Sequence, residues 1–599
     1  MKMLETRWTK EVREHPDRVH MEYPRPSMVR ESYVNLNGMW DYAITNDKEK
    51  PEQYDGKILV PFSPEAPLSG VERQLKPGQF LWYRRILPAK VRGHQEEGDR
   101  SRWLLHFGAV DQFAAVYVNG KLVCRHLGGY LPFSADVTEA LTDGENELVV
   151  IVRDFTDHSY YSRGKQKLER GGMFYTAQSG IWQTVWMEEV PEKYIERMKI
   201  TPLYDERAVA VEIIAAGSAD VTGDKRRVSI RIWSEETQAM EVEGSIGQVI
   251  RIPVPDMHPW SPEDPFLYSI RVQMEQDVVT GYFAMRKISV SKDRDGIPRV
   301  MLNNQRCFQK GVLDQGYWPD GLYTAPTDEA LIFDIAEMKR LGFNMLRKHI
   351  KIEPERWYYH CDRLGMLVWQ DMVCGGTGYH QWYVTYLATA IKRLNIRPGD
   401  WTYGLLSRRH EKGRQQFVAE MKETIRVLYN HPSIVTWVIF NEGWGQFDAE
   451  RMTRIAREQD ATRLIDQASG WFDQKGGDFL SIHEYFFSLK WKPEQRVAAL
   501  TEFGGYSWNV PGHSMYEKVY GYRTFHGKQE ITKGYEKLME NEILPNVRKG
   551  IDVLIYTQLS DIEEEVNGFY TYDREMLKIE EETIQRWNEV LTEAAERSS

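Results

Sequence analysis

Residues 433–445 of the chain read SIVTWVIFNEGWG, an apolar run that leads directly into an asparagine and a glutamate. The part Ile434–Phe440 has the length of a strand and is mostly apolar, which is typical of a strand buried on both faces in a parallel sheet. Burying a carboxylate at the end of such a run costs free energy unless the group is paired and hydrogen-bonded. A carboxylate at this position therefore indicates a role beyond packing. We therefore interpret Asn441-Glu442 as the tip of a buried strand, which is where parallel barrels carry their active sites.

Alternating strand and helix patterns surround this segment. Residues 327–342, TDEALIFDIAEMKRLG, begin with a threonine cap, carry apolar residues at helical spacing and end at a glycine. Residues 343–349 and 366–372 read as strands, whereas 353–365 and 408–432 read as helices. Repeated strand–helix units over about 300 residues predict an eight-stranded parallel (β/α)8 barrel, the TIM barrel.

The residues before the barrel predict two β-sandwiches. Short strand-like runs and turn signals fill the region up to residue 190, and Asn119-Gly120 between two such runs is a strong hairpin signal. Residues 191–292 again carry strand-like runs at the spacing of an immunoglobulin-like sandwich. We thus predict three domains with boundaries 1–190, 191–292 and 293–599.

Composition restricts the class of partner. The 599 residues carry a net charge of −11, which argues against nucleic acid but not against a small anionic substrate. A charged N-terminus, no run of membrane-spanning length and four cysteines without a CxxC pair favour a reduced, cytoplasmic location. The 19 tryptophans and 32 tyrosines fit either large cores or carbohydrate binding.

A second glutamate occupies a position like that of Glu442. The run VAALTEFGG places Glu502 at the end of another apolar strand, and Gly443 and Gly504 follow the two glutamates closely. Two carboxylates at strand tips around one cleft are what glycoside hydrolysis requires. Taken singly, each glutamate could also be a helix cap or a salt-bridge partner.

The motifs together resemble glycoside hydrolase family 2, which includes β-galactosidases, β-glucuronidases and β-mannosidases. NEGWGQFD and TEFGGY are similar to the two signatures of that family. LNGMWDY (36–42), SGIWQTVWME (179–188) and PWSPEDPFLY (259–268) are similar to its β domains, in the family's order. The resemblance implies an N-terminal jelly-roll sandwich, an immunoglobulin-like sandwich and a catalytic barrel, in a compact three-domain member.

The resemblance also implies roles for individual residues. Glu442 matches the acid/base and Glu502 the nucleophile of a retaining reaction. The charge of Glu502 and burial would raise the pKa of Glu442, so that it starts as an acid. The substrate-binding candidates are Asn441, Tyr485, Asp314, Arg347, Lys348, His349, His483, Trp471 and Trp508. Arg347 could instead be structural, and the two tryptophans could be core residues.

The identity of the sugar is the least constrained prediction. The family's β-glucuronidases carry an Asn-x-Lys pair after the last strand, whereas this chain has Asn567-Gly568-Phe569. The run RKHIK, residues 347–351, is either a solvated loop face or a basic group facing a sugar carboxylate. We predict a galacto-configured terminal sugar, a galacturonide or a galactoside. The alternatives are a β-glucuronidase and a non-catalytic carbohydrate-binding protein.

Cofactors and partners follow from the same resemblance. No separate cluster of metal ligands is visible in the sequence, so no cofactor is predicted, although some β-galactosidases of the family need magnesium or sodium. The predicted partner is a small carbohydrate or glycoconjugate, and neither nucleic acid nor a membrane is expected. A homo-oligomer is expected because many relatives form one. Transfer of the glycosyl group to an alcohol in place of water stays open.

Overall fold

The computed structural model describes residues 4–91, 93, 101–216, 227–234, 240–380, 382–387 and 398–597. Along the chain, these residues form two β-sandwiches, a small three-stranded sheet and a parallel barrel. None of the helices in this part of the chain combines the length and apolar character that a bilayer crossing requires.

The first sandwich has two main sheets around an apolar core. Its strands are β1 Tyr33–Asn35, β2 Gly38–Thr45, β3 Gly56–Val60, β4 Phe80–Ile86, β5 Arg102–Phe107, β6 Val110–Asp111, β7 Phe113–Val118, β8 Lys121–Leu127, β9 Phe133–Asp136, β10 Glu147–Arg153, β11 Gln166–Lys167, β12 Tyr175–Thr176, β13 Gly180–Ile181 and β14 Val185–Val190. The sheets run β1-β14-β5-β9 and β3-β2-β4-β10-β7-β8. Asn119 and Gly120 take φ values of 50° and 77°, as a type I′ hairpin turn requires, so the predicted hairpin is confirmed.

The second sandwich is immunoglobulin-like. Its strands are β15 Ile195–Leu203, β16 Ala208–Ala215, β17 Arg227–Trp233, β18 Met240–Ser245, β19 Val249–Pro253, β20 Tyr268–Met274 and β21 Asp277–Phe283. They form the sheets β15-β16-β19 and β18-β17-β20-β21. Along β17, Val228, Ile230 and Ile232 are buried in the core while the residues between them face outward. This period of two residues is what makes one face of each sheet apolar.

The barrel follows a small sheet formed by β22 Ile288–Lys292, β23 Pro298–Leu302 and β24 Gln305–Arg306. The barrel strands are β25 Gln309–Asp314, β26 Met345–Lys348, β27 Leu367–Asp371, β28 Ile434–Asn441, β29 Leu464–Ser469, β30 Phe479–Glu484, β31 Val497–Gly504 and, after the short pair β32 Tyr506–Ser507 and β33 Arg523–Thr524, β34 Val553–Thr557. Parallel ladders run β29-β28-β27-β26-β25-β34-β31-β30. The ring closes between β29 and β30, where the Oγ atoms of Ser469 and Ser481 lie 3.4 Å apart.

Helices surround the barrel and one precedes the first sandwich. They are α1 Thr9–Glu14, α2 Asp328–Arg340, α3 Glu355–Leu364, α4 Glu411–Leu428, α5 Ala449–Gln459, α6 Lys528–Leu538, α7 Leu544–Lys549 and α8 Glu581–Glu596. The side chain of Thr327 accepts a hydrogen bond from the Ala330 N–H at 3.2 Å, which confirms the predicted cap of α2. The eight-stranded parallel barrel predicted from the alternating pattern is likewise confirmed.

The N-terminal segment lies against the barrel, a contact that the sequence did not predict. The Thr6 hydroxyl donates to the Asp320 carboxylate at 2.6 Å. The Trp8 ring meets the Trp318 ring edge-on, with 5.8 Å between centroids. These contacts tie the start of the described chain to the loop that follows the first barrel strand.

Candidate active site

Glu442 stands at a sharp turn at the end of β28, and every residue of that strand is buried. Its own φ is 51° and that of Gly443 is 75°, so two successive residues are left-handed. Such a conformation costs a non-glycine residue about 1–2 kcal/mol, and it persists only where the surroundings impose it. The Glu442 N–H donates to the Ser469 carbonyl at 2.9 Å, and a Cβ at position 443 would lie 2.6 Å from the Phe472 ring. The turn therefore requires glycine after Glu442.

The two predicted glutamates meet at one place, with a histidine between them. A carboxylate oxygen of Glu442, one of Glu502 and a ring nitrogen of His483 all lie within 4.8 Å of one another. The His483 Nδ1 atom is 2.8 Å from Glu442 Oε1 and 3.5 Å from Glu502 Oε2. Retaining glycosidases hold their two carboxyl groups about 5–5.5 Å apart, so this spacing suits a retaining reaction. The same three side chains could also hold a metal ion.

Glu502, in β31, is held by two donors. The Tyr485 hydroxyl donates to Oε2 at 2.6 Å, and Arg347 Nη1 donates to Oε1 at 3.2 Å. Burial raises the pKa of Glu502; nearby His483 opposes that rise and the charge of Glu442 adds to it. Arg347 and Lys165 further oppose the rise in the Glu502 pKa. The carboxylate is thus shielded from water yet kept ionisable by the positive groups around it.

Glu442 has a second partner that the sequence did not single out. Trp444 Nε1 donates to Glu442 Oε2 at 3.1 Å, while His483 lies at Oε1. The Trp444 ring is buried and packs perpendicular to the Tyr379 ring at 4.7 Å. The only sequence signal for this contact was a tryptophan two residues after the glutamate. The two bonds together fix the direction of the Glu442 carboxyl group.

The buried Arg347 side chain forms hydrogen bonds with several groups of the site. Its Nε and Nη2 atoms bind both oxygens of Asp371 at 2.9 and 3.0 Å, a bidentate pair. Nη2 also donates to Asn441 Oδ1 at 2.9 Å, and Nη1 reaches Glu502. This geometry favours the structural interpretation of Arg347. Asn441 accepts this bond through its oxygen, and its amide nitrogen makes no hydrogen bond to the other residues that the structure describes.

The basic run 347–351 is not a solvated loop face, so that interpretation was wrong. All four basic side chains of the run are buried. Lys348 Nζ donates to Asp314 at 2.6 Å and to Glu353 at 2.8 Å. Lys351 also binds Glu353, at 2.8 Å. Lys348 and Asp314 are therefore engaged with each other rather than open to a sugar. The run is buried because acidic partners neutralise it.

His349 contacts Asp371 through one ring nitrogen and keeps the other as a buried acceptor. Its Nδ1 atom lies 2.8 Å from Asp371 Oδ2. Burial holds the pKa of His349 well below its usual range, and the positive charges of Lys165, Arg347 and His483 act in the same direction. A neutral ring that donates through Nδ1 has a lone pair on Nε2. That Nε2 atom is buried and has no hydrogen-bond partner in the described part of the chain.

The aromatic candidates lie in different surroundings. The half-buried Trp471 meets His483 edge-on at 5.7 Å, and its Nε1 donates to the Val384 carbonyl at 2.7 Å, so it borders the catalytic pair. Trp508 is half-buried against the barrel core, with its carbonyl bound by Lys578. Tyr485 stacks on Tyr522 at 3.9 Å, which the sequence did not reveal.

The segment after the last barrel strand carries an acid and an amide. Asn567 is buried, and its Nδ2 donates to Glu565 Oε1 at 2.9 Å. The Tyr175 hydroxyl of the first sandwich donates to Glu565. Lys578 Nζ binds Asp561 at 2.6 Å. The lysine nearest to this segment in the sequence is therefore already paired.

Comparison with known proteins covers each of the three domains. Residues 81–191 match the description "Glycosyl hydrolases family 2, sugar binding domain", residues 193–286 match "Glycosyl hydrolases family 2", and residues 299–503 match "Glycosyl hydrolases family 2, TIM barrel domain". Together these ranges include well over half of the chain.

Two curated relatives show how far the sequence likeness extends. A β-glucuronidase of Streptococcus agalactiae is 24% identical over 449 residues, which are 70% of this chain and 68% of that protein. A β-galactosidase of Leuconostoc mesenteroides is 26% identical over 401 residues, 63% of this chain and 34% of that protein. The chain thus spans about a third of the length of the second relative.

Solved structures share the whole fold. A β-D-glucuronidase of Dictyoglomus thermophilum has a TM-score of 0.71 at 17% identity, covering 94% of this chain and 98% of that one. A β-galacturonidase of Eisenbergiella tayi bound to galacturonate has a TM-score of 0.68 at 17% identity, covering 95% and 99%. At such identities the likeness establishes the three-domain fold.

Proposed function

Because this chain belongs to glycoside hydrolase family 2, whose members are retaining glycosidases, we propose that it removes a terminal galacto-configured sugar, a β-D-galacturonide or a β-D-galactoside. The observation that carries the proposal is the Glu442–Glu502 pair, whose oxygens lie within 4.8 Å at the tips of β28 and β31. Two carboxyl groups at this spacing support double displacement through a covalent glycosyl-enzyme.

In the first step, Glu502 attacks the anomeric carbon while Glu442 protonates the departing oxygen. Tyr485 and Arg347 hold the Glu502 carboxylate in place through its two oxygens. The amide of Asn441, held by Arg347, binds the sugar's 2-hydroxyl in this proposal, through a bond that strengthens in the transition state. His483 and Trp444 hold the acid in the direction of the glycosidic oxygen.

In the second step, water replaces the aglycone. Glycosylation removes the negative charge of Glu502, so Glu442 can now act as a base. It deprotonates the water that attacks the anomeric carbon, and Glu502 leaves. The configuration is retained because two inversions occur at the same carbon. An alcohol in the place of water would give a new glycoside by the same step.

The galacto-configured sugar is supported by two observations. The region after the last barrel strand holds Glu565 and Asn567, hydrogen-bonded to each other, and has no lysine at the glucuronidase spacing. A galacturonidase is also among the proteins with this fold. The alternative of a β-glucuronidase is supported by the glucuronidases among the relatives. A non-catalytic binding protein is disfavoured because both glutamates are present, at a spacing that suits a retaining reaction.

The test is an assay of purified protein on aryl β-glycosides of galacturonic acid, galactose, glucuronic acid, glucose and mannose. Glu502→Gln, a nearly isosteric change, serves as the inactive control. Release of the aryl group from galacturonide or galactoside, lost in the variant, supports the proposal. Faster turnover of glucuronide, glucoside or mannoside refutes the galacto preference. No release from any substrate by the folded protein refutes the activity itself.

A further inference from the structure

We propose that Lys165 of the first sandwich binds the carboxylate of the substrate, so that the sugar removed by this enzyme is a uronic acid. The inference rests on the proposed function and narrows it, because it selects the galacturonide over the galactoside. Lys165 stands in a different domain from the catalytic glutamates, within the sequence RGKQ at residues 163–166. The sequence alone indicates no role for this lysine.

Backbone contacts place Lys165 at the mouth of the barrel. The N–H groups of Arg163 and Gly164 both donate to the Cys374 carbonyl, at 3.0 and 3.1 Å, in the loop that follows β27. Gly164 has a φ of 64°, and a Cβ there would lie 3.2 Å from the Ile350 carbonyl, just after β26. Only glycine permits this approach. Lys165, the next residue, is thereby held above the tips of two barrel strands.

The other flank of Lys165 is fixed as well. Its carbonyl accepts a hydrogen bond from the Tyr175 N–H at 2.9 Å. The Tyr175 hydroxyl in turn accepts from Gln315 Nε2 at 2.8 Å, in the loop after β25. The segment is therefore anchored on both sides to loops at the C-terminal end of the barrel. A side chain on such a support is positioned more precisely than one on a free loop.

The ammonium group of Lys165 is available, unlike the other cations of the site. Arg347 is committed to Asp371 and Glu502, and Lys348 and Lys351 are committed to Glu353. Lys165 is half-buried, and it makes no ion pair or side-chain hydrogen bond within the described residues. Its charge nevertheless lowers the pKa of Glu502 and of His349, which supports a side chain that faces the catalytic side of the barrel.

Lys165 and His349 offer complementary groups. The His349 Nε2 atom is a buried acceptor without a partner among the residues described, whereas Lys165 is a donor with a full charge. A uronic acid carries a carboxylate and a hydroxyl on adjacent carbons. The carboxylate matches the ammonium, and the hydroxyl can donate to His349. A neutral hexose presents no anion to compensate the partly desolvated lysine.

The experiment compares Lys165→Met with Lys165→Arg, which retains the charge. A matched control is Lys167→Met, because the Lys167 ammonium lies 3.9 Å from the Phe174 ring centroid and has no part in the proposed site. The measured quantity is the ratio of kcat/KM for an aryl β-galacturonide to that for the matching galactoside. A hydrogen bond to a charged group corresponds to about a 10- to 150-fold effect. We expect the ratio to fall by that factor in Lys165→Met, to fall less in Lys165→Arg and to stay unchanged in Lys167→Met.

The outcomes separate this inference from the proposed function. A wild-type protein that cleaves galactoside but not galacturonide, or a Lys165→Met variant in which both rates fall equally, overturns the role of Lys165 and leaves the glycosidase intact. If the wild type cleaves no glycoside, thermal unfolding with free galacturonic acid and with galactose still tests whether the protein binds the sugar carboxylate. Stabilisation by the acid alone, lost in Lys165→Met, supports the carboxylate site. Its absence in the wild type refutes the site.

Discussion

Arg347 forms ion pairs with both Asp371 and Glu502. The substitution Arg347→Met removes the charge of this side chain while keeping much of its length. The substitution deletes the bidentate bonds to Asp371 and the bonds to Asn441 and Glu502, which span 2.9–3.2 Å. Asp371 is almost fully buried and loses its strongest partner. Truncating one partner of a buried ion pair costs about 3–5 kcal/mol. We expect the free energy of unfolding to fall by that amount.

The same substitution changes the pH dependence of catalysis. Arg347 lowers the pKa of Glu502, so its loss lets burial and Glu442 raise that pKa further. The nucleophile must be ionised, and therefore the acidic limb of kcat/KM should move to higher pH. The lost bond to Glu502 also reduces kcat/KM on the plateau by about 10- to 150-fold.

Arg463→Met is the matched control for this experiment. Arg463 is also buried and bonded to an aspartate, Asp460 at 3.0 Å, but it lies at the opposite end of the barrel, before β29. It should lower stability without moving the acidic limb. The assay is a pH series of initial rates with the wild type and both variants, beside thermal unfolding. A limb that stays in place or moves to lower pH in Arg347→Met would refute the assignment of Arg347 as a group that helps to keep Glu502 ionised.

Two further predictions concern the catalytic pair. Glu442→Gln should slow the hydrolysis of an alkyl or sugar glycoside far more than that of a dinitrophenyl glycoside, whose leaving group needs no proton. Azide should restore turnover of the dinitrophenyl glycoside and give a glycosyl azide. Equal losses of rate on both substrates would contradict the role of Glu442 as acid. Zn²⁺ should inhibit competitively and reversibly, because Glu442, His483 and Glu502 offer ligand atoms within 4.8 Å of one another. Rates that do not fall with Zn²⁺, or inhibition that excess substrate does not relieve, would contradict binding of the ion between the catalytic glutamates.

The catalytic pair could be predicted from sequence because it rests on local patterns. A strand buried on both faces leaves an unmistakable apolar run, and the residue after it is placed at the barrel mouth by the fold itself. Glu442 and Glu502 are both of this kind. The glycine that the turn requires is visible in the sequence at position 443, but the left-handed φ of Glu442 itself is known only from the structure.

The residues that surround the pair could not be predicted in the same way. Whether the basic run 347–351 faces solvent depends on Asp314 and Glu353, which neutralise Lys348 across the fold. A charge pattern alone shows no such partner, and the solvated interpretation failed for that reason. The role of Lys165 is harder still to predict, because its position depends on how the first sandwich docks on the barrel through Gly164 and Cys374. No periodicity in either segment records that contact.

The charges of the site link the first domain to the chemistry of the barrel. Once Glu442 carries the proton it will donate, Asp371 and Glu502 remain as anions, facing Arg347 and Lys165. His483, Arg347 and Lys165 all oppose the rise in the Glu502 pKa that burial and Glu442 cause, so Lys165 is one of three groups that help to keep Glu502 ionised. The carboxylate of a uronide is a third anion close to the same lysine. It offsets part of the effect of the lysine charge on Glu502, so Glu502 is more basic when it attacks. Glycosylation then removes the charge of Glu502, and Lys165 is left to the substrate carboxylate alone. The charge of the substrate, and not only its shape, is therefore coupled to the ionisation of the nucleophile.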